Sequence, residues 1–365
     1  MKIKILLIML SVFFLSGCYS SHEINELAIV TSLSIDLKGE TYEVGALVKD
    51  TKAKDAEPIL YSGHGITFAE ALNNAQSKMA TKIYLAHIDT LVISKEVAEK
   101  GVLDIIDYLL RKPQTKEKFY VLLTEQDKAK DILNLLTNSI AYPANAVRGV
   151  MKASDDFSFD TTAVLYADLV DTILKEGIDT ILPVIEITDD KLSINKMAVF
   201  KKDKLQGFLD TNNSKGLNIL LNKNKETALT FNFEDTNVFV NIDNLDTKIK
   251  IFNSKNIEIN ITGFGKLDEL NCDLDITEQK NIDKLTQALN NDVQKLIRGT
   301  INELLYLQSD SVGFGYKIYT SKPNEWKKNN HNWHNQGYQN IDFIVNSSIQ
   351  IKDLGALLQC VKEAT

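Results

Sequence analysis

The chain has 365 residues, of which 44% are hydrophobic and 25% charged, as in ordinary globular proteins. Its formal charge of −8 at pH 7 argues against nucleic acid and anionic lipid surfaces as general partners, because an acidic body is repelled by both. The length predicts two or three domains, each large enough to bury a hydrophobic core.

The first residues have the form of a secretory signal. Lys2 and Lys4 precede an apolar run, residues 5–15, that is too short to span a bilayer, which takes about 20 apolar residues. The run ends in "LSGC", and this sequence resembles a bacterial lipobox. We therefore predict a signal peptide over residues 1–17 and a lipidated Cys18, with S-diacylglycerol and an N-acyl group after cleavage. An ordinary signal peptide with an incidental cysteine is the alternative.

Two acyl chains on Cys18 would anchor the chain stably, since each buried methylene contributes about 0.8 kcal/mol. No later stretch is apolar enough to cross a membrane. Cleavage removes Lys2 and Lys4, so the anchored body would carry a charge of about −10. Cys272 and Cys360 would then be the remaining cysteines; two isolated cysteines do not make a disulfide framework, and their pairing stays open.

Helices alternate with strands in the first half of the chain, which is typical of a layered α/β domain. The predicted elements are, in order, a β-hairpin (28–35 and 41–50), an irregular link (57–65), a helix that begins with a capping box of Thr67 and Glu70, a strand (87–94), a helix (95–110), a strand (117–125), a helix (127–137), a helix within 158–176 and a strand (180–188).

The pattern changes near residue 190, where we place a domain boundary. The elements predicted after it are a β-hairpin around Lys202, a short helix (216–221), strand-like runs (228–233, 237–242, 248–252 and 257–263), a long amphipathic helix (277–308), one further strand at Tyr316 to Tyr319 and a strictly alternating strand (341–351). The alternating strand is predicted to be antiparallel, with the long helix covering its apolar side.

The predicted fold class is therefore α+β or mixed α/β, multi-domain, with mixed or antiparallel sheets covered by helices and a lipid anchor at the N-terminus. An N-terminal α/β domain would span residues 18–190. A C-terminal domain would span residues 191–365, with a sheet-rich part at 191–270 and the long helix plus antiparallel strands at 271–365.

Five segments follow Cys18 in a fixed order: "EINELAIVTSLSID", "GHGITFAEALNNAQSKMATKIYLAHIDTLVIS", "KGVLDIIDYLLRKPQTKEKFYVLLTE", "LPVIEI" and "KMAVFKKDKLQGFLD". In this order they resemble the Ger(x)C family of spore germination lipoproteins. Near the C-terminus, "SDSVGFGYKIYTSKPNEWKK" matches the family's Asp-x-x-Gly-x-Gly segment, from Asp310 to Gly315, and its Pro-x-x-Trp segment, from Pro323 to Trp326. Residues 19–22, "YSSH", depart from the Trp-Asp and Arg pair that members often carry after the lipidated cysteine.

The resemblance implies the C subunit of a nutrient germinant receptor in an endospore-forming bacterium. Such a subunit would stand on the outer face of the spore inner membrane, held there by its lipid. Its partners would be a multi-pass A subunit and a permease-like B subunit, and its fold would be α/β with mixed sheets in separate domains. The family carries over no catalytic residue; Cys18 is the single site residue that it implies.

A search for reactive groups finds no pattern typical of an enzyme. His331 and His334 lack a third ligand at zinc spacing, which favours solvated loop histidines. "GFGK" at 263–266 lacks the spacing of a phosphate-binding loop and is interpreted as a turn, and "SGHG" at 62–65 lacks the order Gly-x-Ser-x-Gly of a nucleophile elbow. Gly313 and Gly315 favour backbone with positive φ at a junction. We predict no cofactor, no metal and no nucleic-acid partner.

Two hypotheses of function remain at this point. In the first, the body is an accessory subunit that docks on membrane partners. In the second, it is an extracytoplasmic solute-binding lipoprotein that captures a small nutrient itself. Stand-alone binding lipoproteins have two similar α/β lobes around a cleft, whereas this sequence has one α/β half followed by a sheet-rich half, which favours docking.

Overall fold

The computed structural model describes residues 26–49, 58–139, 143–154, 160–223, 225–234, 236–270 and 276–354. The strands are β1 (Leu27–Lys38), β2 (Thr41–Lys49), β3 (Ile59–Gly65), β4 (Lys82–Tyr84), β5 (Thr90–Ser94), β6 (Tyr120–Thr124), β7 (Ile181–Thr188), β8 (Lys191–Lys201), β9 (Lys204–Leu209), β10 (Thr227–Phe233), β11 (Thr236–Asn253), β12 (Asn256–Glu269) and β13 (Asp342–Asp353). Cys18, Cys272 and Cys360 lie outside the described residues, so the lipidation site and the cysteine pairing stay predictions.

Helices cover both sheets. They are α1 (Phe68–Gln76), α2 (Lys95–Lys100), α3 (Leu103–Leu110), α4 (Ala129–Ser139), α5 (Pro143–Ala153), α6 (Tyr166–Ile173), α7 (Thr211–Leu221), α8 (Gln279–Tyr306), α9 (Phe314–Ser321) and α10 (Pro323–Asn329). Three short helical turns between residues 330 and 340 precede β13. Among the described residues, no helix combines the length and the apolar character that crossing a membrane requires.

The first half of the chain forms a nine-stranded mixed sheet in the order β3-β2-β1-β5-β6-β7-β8-β9, with β4 beside the start of β1. The central strands β1, β5, β6 and β7 run parallel. Along β5, Leu91 and Ile93 pack in one hydrophobic cluster with α1, α2, α3 and α6, whereas Val92 packs in another with α4 and α5. Helices therefore cover both faces, which confirms the predicted mixed α/β arrangement.

The link predicted over residues 57–65 is wrong, because residues 59–65 form β3, antiparallel to β2. Gly63 and Gly65 let this strand pass directly against α1. A Cβ atom on Gly63 would lie 2.2 Å from the backbone nitrogen of Ala75, and one on Gly65 would lie 2.4 Å from that of Ala71. Glycines reduce the β propensity of a segment, so the sequence pattern does not predict this strand.

The single helix predicted over residues 95–110 is also wrong, since it is divided into α2 and α3. Gly101 ends α2 with a φ of 127°, a backbone conformation that residues other than glycine rarely adopt. The next N–H, of Val102, donates to the carbonyl oxygen of Asp203 at 3.1 Å instead of continuing the helix. This contact fixes the break against the β8–β9 turn.

The predicted boundary at residue 190 falls within a two-residue turn. Asp189 and Asp190 have positive φ angles of 50° and 58°, as a tight hairpin turn requires, and both are exposed. The strands on both sides, β7 and β8, are antiparallel neighbours in the same sheet. The first sheet thus continues past residue 190 to β9, which ends at Leu209.

The second sheet has four strands in the order β10-β11-β12-β13. The predicted runs 237–242 and 248–252 are parts of one long strand, β11. The segment "GFGK" lies inside β12 and not in a turn. The last strand is parallel to β12, so its predicted antiparallel direction is wrong. A connection through helices such as α8 returns the chain to the end of the sheet where it started, and the next strand then runs parallel.

Helix α8 packs on β13, as the sequence predicts. The buried residues of its apolar stripe are Leu285, Leu289, Val293, Ile297, Ile301 and Leu304. Asn290 adds a polar link, since its side-chain nitrogen donates to the carbonyl oxygen of Ile349 and its side-chain oxygen accepts the N–H of the same residue, both at 2.8 Å. The strand predicted at Tyr316 to Tyr319 is wrong, because this segment lies within α9.

The packing of α8 predicts a large difference between two substitutions on one helix. Leu289→Ala should lower the free energy of unfolding by about 2–5 kcal/mol, because Leu289 is fully buried and its loss leaves a cavity. Lys284→Ala should cost under about 0.5 kcal/mol, because Lys284 is exposed and its 3.8 Å contact with Glu234 is a surface ion pair. Denaturant titrations of the full chain give both values. A larger loss for Lys284→Ala would contradict this orientation of α8.

Candidate functional site

Two buried acids lie where the first sheet meets the C-terminal helices. Asp179 precedes β7 and is 3% exposed, and Asp310 follows α8 and is fully buried. Hydrogen bonds join the two residues in both directions. The N–H of Asp179 donates to the carbonyl oxygen of Asp310 at 3.0 Å, and the N–H of Asp310 donates to Oδ2 of Asp179 at 2.8 Å. We call these two residues the carboxylate pair.

The side chain of Asp179 is hydrogen-bonded to three separate parts of the chain. Besides the N–H of Asp310, its Oδ1 accepts the N–H of Lys202 at 2.8 Å, from the β8–β9 turn. Its Oδ2 lies 2.6 Å from Nε2 of His334, whose side chain is 18% exposed. A buried carboxylate is stable only when its oxygens are hydrogen-bonded in this way. Asp179 therefore joins the first sheet to the segment before β13.

Asp310 binds the start of α9. Its Oδ1 accepts the N–H of Phe314 at 2.8 Å, and its Oδ2 accepts the N–H of Gly315 at 2.7 Å and the indole N–H of Trp333 at 2.9 Å. The N–H groups at a helix start have no partner within the helix, so a carboxylate there satisfies them and stabilises the helix dipole.

Two glycines allow this geometry. Gly313 has a φ of 75°, and a Cβ atom on Gly315 would lie 2.8 Å from the rings of both Trp326 and Trp333. The Asp-x-x-Gly-x-Gly spacing is thus explained by a carboxylate, a left-handed residue and a close approach of two rings. As predicted, Gly313 serves a positive-φ backbone; Gly315 serves ring packing.

Aromatic rings enclose the carboxylate pair on the C-terminal side. The ring centroids of Trp326 and Trp333 are 5.1 Å apart, and those of Trp333 and Tyr338 are 6.1 Å apart. The indole N–H of Trp326 donates to Oε2 of Glu176 at 3.0 Å, close to the start of the Asp179 segment. These rings exclude water from Asp310 and fasten α10 to the first sheet.

Burial raises the pKa of Asp310 to about 7, and the negative charge of Asp179 adds to the rise. The N–H groups of Gly315, Phe314 and Trp333 oppose it, because they favour the ionised carboxylate. Burial, together with the negative charges of Asp310 and Asp179, raises the pKa of the Tyr338 hydroxyl well above its usual value. The hydroxyl of Tyr338 is buried and has no hydrogen-bond partner in the described part of the chain.

A cleft of about 680 Å³ opens beside the carboxylate pair, between the first sheet and the segment before β13. Residues that line it include Leu103, Leu174, Lys202, Trp326, His331 and Asn335. Leu174 is 77% exposed. The cleft is wide, and its lining mixes both charges with apolar side chains, so its chemistry does not select one class of ligand.

The two histidines considered for a metal are placed differently. His331 is exposed, as predicted, whereas His334 is wrongly predicted as a solvated loop residue, because it contacts the buried Asp179. Within the described ranges, no three His, Cys, Asp or Glu side chains are grouped as metal ligands. The segment around His64 lies in β3, not in a connecting turn, and its backbone is close to α1.

Sequence analysis identified half of the site. Asp310 and Trp326 lie in the quoted family segments, and Trp333 lies between the two histidines. Asp179 was missed, because a single acid before a strand is ordinary in a turn and its burial depends on residues more than a hundred positions away. Its position two residues before a run of five strand residues, Ile181 to Ile185, is the one local signal that it carried.

The comparison with protein families matches both halves of the chain. Residues 20–187 match the model described as "Spore germination protein N-terminal domain". Residues 195–355 match the model described as "Spore germination B3/ GerAC like, C-terminal". The two matches meet beside the predicted boundary at residue 190, and the second includes Asp310 and the aromatic residues around it.

Similar proteins match almost end to end. "Spore germination protein KC" of Bacillus subtilis (strain 168) is 26% identical over 96% of this chain and 95% of its own length. "Spore germination protein GerQC" of Bacillus cereus is 23% identical over 97% of this chain and 99% of its own. The crystal structure of the GerBC protein has the same fold, with a TM-score of 0.60, 16% identity and coverage of 90% of this chain and 99% of that one. The chain therefore belongs to the Ger(x)C family of spore germination proteins.

Proposed function

We propose that this chain is the lipid-anchored C subunit of a nutrient germinant receptor, on the outer face of the spore inner membrane. The observation that carries the proposal is the match of both halves, in order, to spore germination domains. The subunit acts by assembly with a multi-pass A subunit and a permease-like B subunit. Cys18 carries the acyl chains that hold it at the membrane.

The proposed role is not enzymatic. The polar groups at the carboxylate pair are used to join parts of the chain, since the carboxylate oxygens of Asp179 and Asp310 are hydrogen-bonded to backbone, indole and imidazole groups at 2.6–2.9 Å. A general acid or a nucleophile needs a group that is free to reach a substrate. The carboxylate pair supports a rigid connection between the two sheets, which a docking subunit needs in order to present one surface.

The alternative of a solute-binding lipoprotein receives less support. A nine-stranded mixed sheet and a four-stranded sheet with one parallel edge are not two similar lobes. The cleft beside the carboxylate pair is large enough for a small solute, but its lining mixes acids, bases, amides and apolar side chains and does not select one class of solute.

Co-purification tests the proposal. The full chain, tagged at its C-terminus and expressed from its own locus, would be recovered from spore membranes in mild detergent. We expect two multi-pass membrane proteins in comparable amounts, and loss of the response to one germinant when the chain is deleted. A tagged, unrelated spore lipoprotein is the control. Recovery of the chain alone, with a normal germination response after deletion, would reject the proposal.

A further inference from the structure

A second cavity, of about 360 Å³, lies between α1, β4 and the end of α3. We call it the β4 cavity. Its apolar lining residues are Leu72, Ile83, Leu85 and Tyr108. Lys82 and Lys112 line it as well, together with uncharged polar residues, and no carboxylate is among its lining residues. The cavity thus combines an apolar wall with two cations.

Three polar groups of the β4 cavity, on Lys82, Lys112 and Thr115, are available to a ligand. Lys82 makes no ion pair within the described residues, and Lys112 lies over the ring of Tyr108, with 4.9 Å between Nζ and the ring centroid. The hydroxyl of Thr115 is buried and has no hydrogen-bond partner in the same part of the chain. A buried polar group without a partner costs free energy that a bound acceptor would recover. These groups fit an anion that carries an apolar part.

The position of the β4 cavity indicates what kind of anion would bind there. Lys82 and Ile83 on β4 pair with Leu27 and Ala28, the first residues of β1. Cys18 lies nine residues before Leu27, and nine extended residues span at most roughly 30 Å. If Cys18 is lipidated, as the proposed function holds, the tether keeps the β4 cavity close to the lipid headgroups.

The charge at this end of the sheet differs from that of the whole chain. The formal charge of −8 repels the body from an anionic membrane. At the edge where β1 begins, Asp89 is paired with both Lys116 and Arg148, at 2.9 Å and 3.2 Å. Glu26 and Glu117 are also present, and Glu117 is followed directly by a lysine. The two cavity lysines therefore leave this edge positive and favour its approach to anionic lipid.

We propose that the β4 cavity binds the headgroup of an anionic phospholipid in the membrane to which the chain is tethered. The phosphate lies between the ammonium groups of Lys82 and Lys112 and accepts the hydroxyl of Thr115. The glycerol and the first methylenes of the lipid contact the apolar wall. Binding would orient the whole subunit on the membrane, since it adds a second point of attachment to the one at Cys18.

Titration with a soluble short-chain lipid tests the proposal. The processed full chain, kept soluble in amphipol, would be titrated by calorimetry with dihexanoylphosphatidylglycerol below its micelle concentration. Dihexanoylphosphatidylcholine, which has no net charge, and glycerol phosphate, which has no acyl chain, are the comparison ligands. We expect saturable binding of the first and at least tenfold weaker binding of the other two.

Matched variants locate the site. Lys82→Gln combined with Lys112→Gln should weaken binding about 30-fold, since each basic residue near an anionic lipid contributes about 1 kcal/mol. Lys118→Gln, at the same edge but outside the cavity lining, should leave the affinity unchanged. Thr115→Val should weaken binding several-fold and should not lower the melting temperature of the free chain, because it removes a hydroxyl that has no partner.

Three results would overturn the assignment. The first is that the short-chain lipid shows no saturable binding. The second is that glycerol phosphate binds as tightly as the lipid, which would indicate a site for free phosphate. The third is that Lys118→Gln weakens binding as much as the double variant of Lys82 and Lys112. The test does not depend on lipidation. If Cys18 proves unmodified while the short-chain lipid still binds in the β4 cavity, the anchor of the proposed function fails and the lipid site stands.

Discussion

Replacing Cys18 by alanine should remove the chain from the membrane fraction or leave its signal uncleaved, and germination through this receptor should be impaired. The physical reason is that the acyl chains on Cys18 are the predicted anchor, and a body with a charge of about −10 has little attraction of its own to an anionic bilayer. Fractionation of spores, with detection of the chain in soluble and membrane fractions, gives the measurement. We expect nearly all of the wild-type chain in the membrane fraction.

The other two cysteines supply matched controls. Cys272→Ala and Cys360→Ala remove the same thiol at positions that the lipobox pattern does not include. Both variants should stay in the membrane fraction and should keep the mass of two or three acyl chains on the N-terminal peptide. Membrane retention and normal processing of Cys18→Ala would contradict the lipobox interpretation. Equal release of all three variants would show instead that cysteine loss destabilises the fold.

The elements that the sequence predicted correctly are those whose signal is local. The helix start at Thr67 is one example, since Oγ1 of Thr67 accepts the N–H of Glu70 at 3.2 Å; the return bond of the predicted capping box is shifted by one residue, because the side chain of Glu70 accepts the N–H of Ile66 at 2.8 Å. The stripe of α8 is another, because its apolar spacing alone identifies the face that packs on β13. Both depend on residues within a few positions of each other.

The errors share a different cause, which is contact between distant residues. The sequence around Gly101 predicts a continuous helix, but the N–H of the next residue, Val102, donates to the carbonyl oxygen of Asp203 and the helix ends. The segment Tyr316 to Tyr319 alternates like a strand but lies in a helix that Asp310 begins, and Asp310 is itself held by Asp179, 131 positions away, whose Oδ2 accepts its N–H. In each case a tertiary hydrogen bond decides the local structure, and propensity is a weak guide when that happens.

The same limit applies to the candidate site. The spacing of Asp310, Gly313 and Gly315 identified a segment of interest, but not its role, because the role depends on Asp179 and on the ring of Trp333. His334 was predicted to be solvated, as a histidine in a polar loop usually is, but it contacts the buried Asp179. Burial cannot be deduced for a single polar residue whose partners come from another sheet.

A large loss of stability is also predicted for Asp310→Ala. The change would leave the N–H groups of Phe314, Gly315 and Trp333 buried without an acceptor, and each such group costs about 1–3 kcal/mol. Removal of a buried charge near Asp179 offsets part of this cost. We expect a net loss of about 3 kcal/mol in the free energy of unfolding at neutral pH, measured on the full chain in detergent by urea titration.

The exposed acid Asp342, at the start of β13, is the matched control. Asp342→Ala should change the free energy of unfolding by no more than about 0.5 kcal/mol, as surface substitutions usually do. An equal effect of the two substitutions would contradict the role assigned to Asp310.

The loss caused by Asp310→Ala should also depend on pH, in a direction set by the raised pKa of Asp310. Its pKa is about 7 in the folded chain against an ordinary value of 3.8 for an aspartate. Between these values the folded chain keeps a proton that the unfolded chain has released, so Asp310 contributes stability at acidic pH that is lost as the pH rises towards 7. The difference between wild type and Asp310→Ala should therefore be larger at pH 5 than at pH 8.

A residual pH dependence should remain in the Asp310→Ala variant. Asp36 is buried at the start of α4, where it accepts the N–H groups of Ala129 and Lys130, and burial raises its pKa to about 6. By the same linkage its contribution is lost as the pH rises from about 4 to 6, in wild type and variant alike. Subtracting one profile from the other removes this shared part. A difference that is equal at pH 5 and pH 8 would show that folded Asp310 is ionised throughout, with its three N–H donors outweighing the effect of burial.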